Sequence, residues 1–298
     1  MAANPLLRKL GLSATDRVAI IHTDDIGLSE SSVAAARELW QAGLITSSAV
    51  MVPCPWFPAV AALCRADPTI DMGVHVTLTS EWDTVRWGPI STRATASGLI
   101  DPEGYFYRGT AEAQAHARPE AVEAEIMAQI ARAVAAGIDV THIDTHMGTV
   151  FHPALLPAYV KAGLAAPVPA MLPRLTEDQI VRDWGIERER AGELVRMIDV
   201  IEAQGMPFVD HIVGMPLNQP EHRLAQLLAA YDALQPGVTH FIIHPSTDTP
   251  EARAAYPDLP ARIGDYQTHL DERVRDHLKQ RGIITLGYRH LRELMQQQ

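Results

Sequence analysis

Short β-branched apolar runs alternate with helix-period segments along the whole of this chain, and that alternation limits the fold more than any other feature. The run that begins at Val18 and those at 44–52, 70–79, 138–144, 168–172, 208–213, 238–244 and 283–286 read as strands. Between them, 31–42, 60–66, the segment from Pro119 past Val134, 153–164, a stretch carrying Leu194, Ile198 and Ile201, 221–234 and 268–280 read as helices, with a last one through Leu291 and Leu294. The charged segment 176–189 fits neither pattern cleanly. Strand–helix alternation implies a mainly parallel sheet in an α/β protein. This many units in one chain favour a distorted (β/α) barrel of seven or eight strands over an open sheet. No G-x-G-x-x-G follows the first strand, so dinucleotide binding has little support. No linker composition divides the chain, and residues 1–298 read as a single domain. Residues 80–118 form a loop insertion within it, without a clear period and carrying Trp82, Trp87, Tyr105, Phe106 and Tyr107.

Composition removes several function classes. The formal net charge is −11 and no Lys/Arg cluster stands out, so nucleic acid is not an expected partner. No run approaches the roughly 18 apolar residues of a membrane span. The start, Met1-Ala2-Ala3-Asn4-Pro5, lacks a basic segment followed by an apolar one, so no secretory leader is expected and the cytoplasm is the simplest location. Cys54 and Cys64 have no zinc-type spacing and read as inert buried thiols.

The chemistry-bearing residues fall at strand ends. Val18-Ala19-Ile20-Ile21-His22-Thr23 runs into Asp24-Asp25, followed by Gly27 and by Ser29 as a helix N-cap. His75 lies in the third strand, His142, Asp144 and His146 end the fourth, and His244 ends the seventh. Adjacent carboxylates at a buried strand end are costly unless a cation or proton compensates them. The alternative is that they cap a helix and solvate a loop. In a barrel all these positions converge on one rim, and imidazoles with carboxylates suit a divalent ion that activates water or polarises a carbonyl.

The series Thr23-Asp24-Asp25-Ile26-Gly27-Leu28-Ser29, Ile45-Thr46-Ser47-Ser48, Gly73-Val74-His75-Val76-Thr77-Leu78-Thr79, Thr141-His142-Ile143-Asp144-Thr145-His146 and His244-Pro245 resembles the YdjC-like carbohydrate deacetylases, distant relatives of the polysaccharide deacetylases. The matches run from residue 18 to about 290. The resemblance implies a distorted (β/α) barrel with a metal-dependent site that removes N-acetyl groups from amino sugars. It implies that Asp25, His75 and His146 hold the metal, that Asp24 is the general base and that His244 is the general acid. Arg174 matches a family arginine near the site that orients Asp24. Asp144 would hold a ligand histidine in the right tautomer, and His142 stays outside the ligand set as a strand residue. One divalent ion is expected, Mg or Zn first, with Mn, Ni or Co also compatible with mixed His/carboxylate ligands. The substrate would be a small acetylated carbohydrate, and a homodimer rests on family analogy alone.

The chain departs from the family pattern in ways that bear on the sugar more than on the chemistry. His22-Thr23 stands where Asn-Ala is common, Ile26 replaces Phe, and Met147-Gly148-Thr149-Val150 follows His146 where further histidines are frequent. The aromatic insertion suits a lid or sugar platform, with Trp82 directly after the His75 strand, or a loop packing its own cluster. Two other functions compete. A metal-dependent sugar isomerase or aldolase would use similar ligands, but Lys9, Lys161 and Lys279 lie at no strand end, against a Schiff base. A non-catalytic carbohydrate-binding relative has no use for Asp24 as a spare base.

Overall fold

The computed structural model describes residues 5–185 and 187–297; residues 1–4, on which the leader reading rests, lie outside them. The strands are β1 (Arg17–Ile26), β2 (Ser47–Val50), β3 (Met72–Val76), β4 (Val140–Thr145), β5 (His211–Gly214), β6 (Gly237–Ile243) and β7 (Ile283–Thr285), in one sheet ordered β4-β3-β2-β1-β6-β5 with β7 on β1. Every pairing is parallel. Along one flank β1 pairs with β6; along the other it meets β7 at its start and β2 at its end.

The ring is completed by isolated bridges, Ile143 with Ala170 and Pro173 with Val209. The strand expected at 168–172 is therefore reduced to a few bridging residues. Pro167, Pro169 and Pro173 remove amide donors from this stretch, which prevents a regular ladder. The result is a distorted parallel barrel in which this seam is its least regular part.

The two faces of β1 explain how the barrel is filled. Ala19 and Ile21 pack outward with Leu39, Leu227, Tyr231 and Val274 from the surrounding helices. Val18 and Ile20 pack with Leu6 and Leu7 of the helix Pro5–Lys9 and with Tyr288 and Leu291 of the helix Tyr288–Gln296. These side chains floor the barrel at the strand starts. Higher on the same face come His22 and Asp24, so the interior turns from apolar to polar toward the strand ends. Above the floor His142 stacks on Tyr288 with ring centroids 3.9 Å apart, and His240 Nδ1 lies 3.0 Å from the Tyr288 hydroxyl.

One departure from the expected elements lies in the second half. The helix expected at 268–280 begins later, at Glu272–Gln280, because the Asp271 side chain accepts the Arg273 amide and starts it there, and a separate helix, Leu259–His269, precedes it. The insertion at 80–118 is well packed: Trp82, Trp87, Leu99, Ile100 and Phe106 join the main apolar cluster. Glu125 pins it by accepting the amides of Ile90 and Ser91. Cys54 and Cys64 are free and buried. No helix among the described residues is long and apolar enough to cross a membrane.

Candidate metal centre

Adjacent strand residues normally point to opposite faces, yet Asp24 and Asp25 both reach His75. A bulge makes this possible. Between Thr23 and Ile26 the β1–β2 register slips, and Asp25 takes the left-handed conformation at φ 62°. Asp tolerates that region better than most residues, and the strain is held by the surrounding sheet. Met147, immediately after His146, is also left-handed at φ 53°.

Asp25 Oδ1, His75 Nε2 and His146 Nδ1 converge. Asp25 Oδ1 is 3.4 Å from His75 Nε2 and 3.1 Å from His146 Nδ1, and the two nitrogens are 3.3 Å apart. Ligands about 2.1 Å from one ion stand roughly 3.0–3.4 Å apart at angles between square and tetrahedral, so these separations fit a shared cation. Each member is fastened by its far atom. His75 Nδ1 lies 2.8 Å from Asp144 Oδ1, His146 Nε2 lies 3.0 Å from Glu81 Oε2, and Arg262 Nη1 donates to Asp25 Oδ2 at 2.8 Å. With the far ring nitrogens protonated, the inner ones present lone pairs to each other beside Asp25 Oδ1, a buried oxygen with no hydrogen-bond partner among the described residues. Such a cluster calls for a cation, and these three residues could hold one.

The electrostatics agree. Burial pushes the Asp25 carboxyl up, but Arg262 and His146 outweigh it and hold it well below the usual range. Burial lowers His146 while Glu81 and Asp25 raise it to about 9, and His75 is likewise raised by Asp144 and Asp24. Metal-free, the carboxylates recruit protons onto the imidazoles; a divalent ion would compete for the same positions.

Asp24 and His244 stand together at the mouth. Asp24 Oδ2 is 3.9 Å from His75 Nε2 and 3.7 Å from His244 Nε2. Burial opposes ionisation of Asp24, and the His75 charge keeps it lowered overall. His244 is fixed through its backbone, whose amide donates to Asp265 Oδ2 at 3.0 Å, while Asp265 is clamped by buried Arg223. Burial also lowers the His244 imidazole, which favours its neutral form.

The structure thus brings Asp24, Asp25, His75, Asp144, His146 and His244 together. Arg174 is a correction: it does not reach Asp24 but pairs with Glu202 and Asp199 of the helix Arg188–Ala203. It sits on the proline-rich seam just outside the bridging residues, where its backbone faces Val209. Trp82 is not an open platform. It is 7% exposed, packs against Trp87 and Tyr256, and lies under the Arg262 guanidinium, 5.7 Å from Cζ to the ring centre. His142 stays below the site, filling the space over Gly73, with Nδ1 3.0 Å from Thr141 Oγ1. Glu81, Arg262 and Asp265 escaped the sequence reading. Glu81 carried a signal in its position directly after the His75 strand; the other two lie on a helix that the reading did not find.

A family model described as YdjC-like protein matches residues 18–280. The chain belongs to the YdjC-like family. A carbohydrate deacetylase of Thermus thermophilus is 34% identical over 261 residues, covering 88% of this chain and 89% of that protein. A carbohydrate deacetylase of Brevibacillus brevis is 35% identical over 127 residues, 42% of this YdjC-like chain and 46% of the relative. Among solved structures, an Enterococcus faecalis V583 protein with a proposed role in cellobiose-phosphate cleavage superposes at a TM-score of 0.73. It is 21% identical, over 93% of this chain and 99% of that one, which supports the shared fold.

Proposed function

We propose that this YdjC-like chain is a metal-dependent hydrolase that removes an N-acetyl group from a small acetylated carbohydrate. The observation that carries the reading is the convergence of Asp25 Oδ1, His75 Nε2 and His146 Nδ1, each fastened from behind by Arg262, Asp144 or Glu81. The curated relatives named carbohydrate deacetylases support the substrate class.

Asp25, His75 and His146 would hold one divalent ion, Mg or Zn first. When bound, that ion supplies Lewis acidity, lowering the pKa of water and polarising the acetyl carbonyl. Asp24 takes the proton from the attacking water; its carboxylate is ionised and its Oδ2 faces the ligand cluster. His244 delivers a proton to the departing amine; its Nε2 stands 3.7 Å from Asp24 Oδ2, so the proton captured there reaches it through a bridging water or the substrate. Residues 80–118 act as a fixed wall of the site, with Glu81 at its edge and Trp82 behind Arg262. Pairing one charged carboxylate with one neutral imidazole is what an acid–base exchange requires.

The test is acetate release from a panel of N-acetylated sugars by metal-reconstituted protein, with His146→Ala alongside. Acetate from wild type and at least 100-fold less from the variant is expected. No acetate with any sugar or metal overturns the reading.

A further inference from the structure

We propose that His22 is the positioning residue of this centre, a single imidazole that fixes Asp24 and Asp144 at once; the proposal rests on the deacetylase reading for the roles of those two acids. His22 is fully buried on β1, one layer below Asp24. Its Nε2 lies 2.8 Å from Asp144 Oδ2 and 3.1 Å from Asp24 Oδ1, ion-pair contacts that place one imidazole nitrogen between two carboxylate oxygens without an aligned hydrogen bond to either. Its Nδ1 is 2.9 Å from Ser47 Oγ. The rings of His240 and His142 stand 4.5 and 5.1 Å away and prevent it from swinging.

The consequence is an oxygen-by-oxygen division of labour. With Oδ1 of Asp24 drawn toward His22, its Oδ2 is the oxygen that faces His75 and His244. With Oδ2 of Asp144 fixed, its Oδ1 is the one that holds His75 Nδ1. His22 thus sets the aim of the base and, through Asp144, the aim of a metal ligand. Arg174, turned toward Glu202, leaves that task to it. Charge supports the geometry: burial lowers the imidazole, but Asp144 and Asp24 raise it to about 9, so a cation sits between two anions. Asparagine at this position would offer an amide donor and no charge.

The experiment compares wild type, His22→Ala and His22→Asn, each metal-stripped, titrated with Co²⁺ and then assayed for acetate release. For His22→Ala we expect kcat to fall on the order of 100-fold with KM within about twofold, and Co²⁺ affinity to fall about tenfold. His22→Asn should recover part of both. Wild-type kcat and Co²⁺ affinity in His22→Ala overturn the proposal, as does loss of far-ultraviolet circular dichroism in both variants. A second equivalent of Co²⁺ in wild type that disappears in both variants also overturns it, because His22 would then be a ligand. Should wild type release no acetate, the deacetylase reading fails by itself. The Co²⁺ titration still decides the role of His22, and unchanged affinity in the variants overturns it.

Discussion

Asp25 is asked to do two incompatible things, to stay ionised while buried and to leave one oxygen bare. Arg262 resolves the conflict by taking Oδ2 and leaving Oδ1 to the cluster. Arg262 is itself secured by Asp258 and by the rings of Trp82 and Tyr256. Replacing it with methionine keeps most of the volume but strands a buried carboxylate, a change that costs about 3–5 kcal/mol. The expected outcome for Arg262→Met is a large drop in urea midpoint without metal. A saturating divalent ion should narrow the gap to wild type, because it supplies the missing positive charge. An equal gap with and without metal would show that Arg262 serves packing alone.

At the scale of elements, β3 and β4 meet around a glycine. A Cβ built on Gly73 would stand 2.3 Å from the His142 ring, with no flexible neighbour to yield. Gly73→Ala is expected to destabilise by about 1–3 kcal/mol by forcing that ring off Tyr288. Denaturant unfolding measures this, and a neutral result would mean the two strands separate freely. The same scale explains what was legible in the sequence. Strands with apolar runs, and the acids and histidines at their ends, could be read because β-branched periodicity and motif spacing mark them. The helix Leu259–His269 could not, since its buried positions include Arg262, Asp265, Thr268 and His269, and hydrophobic periodicity is blind to a polar inner face. Two residues three apart on that helix, Arg262 and Asp265, hold Asp25 and the backbone of His244. The seam at 168–172 had the composition of a strand, but its prolines mattered more than its apolar residues. Arg174 was misplaced for a related reason: a motif match gives a position in the chain and not the direction of a long side chain.

At the scale of the whole molecule, the C-terminal helix Tyr288–Gln296 is bound to the start of β4 through Arg289 and Arg292, both on Asp139. Arg292, with Arg289 and against partial burial, lowers the Asp139 carboxyl to about 2. A carboxyl lowered on folding stabilises above its unfolded pKa of about 3.9, and this contribution fades as pH falls toward 2. Asp139 is 51% exposed on its side chain, so solvent screening keeps the contribution small. Asp139→Asn should lower the thermal midpoint by at most about 4 °C at pH 6, and the difference should close between pH 4 and pH 2. A constant offset across that range would point to the hydrogen bonds rather than the charge.

That same helix, with the short helix Pro5–Lys9, seals the lower end of the barrel with Leu6, Leu7, Tyr288 and Leu291. With the strand starts sealed, access is expected from the strand ends, where Asp24 and His244 lie. On the deacetylase reading, incoming sugar, departing acetate and freed amine would then share that end of the barrel. Turnover is then a matter of queueing: acetate left behind occupies the doorway of the next substrate, and excess acetate should compete with the sugar for entry.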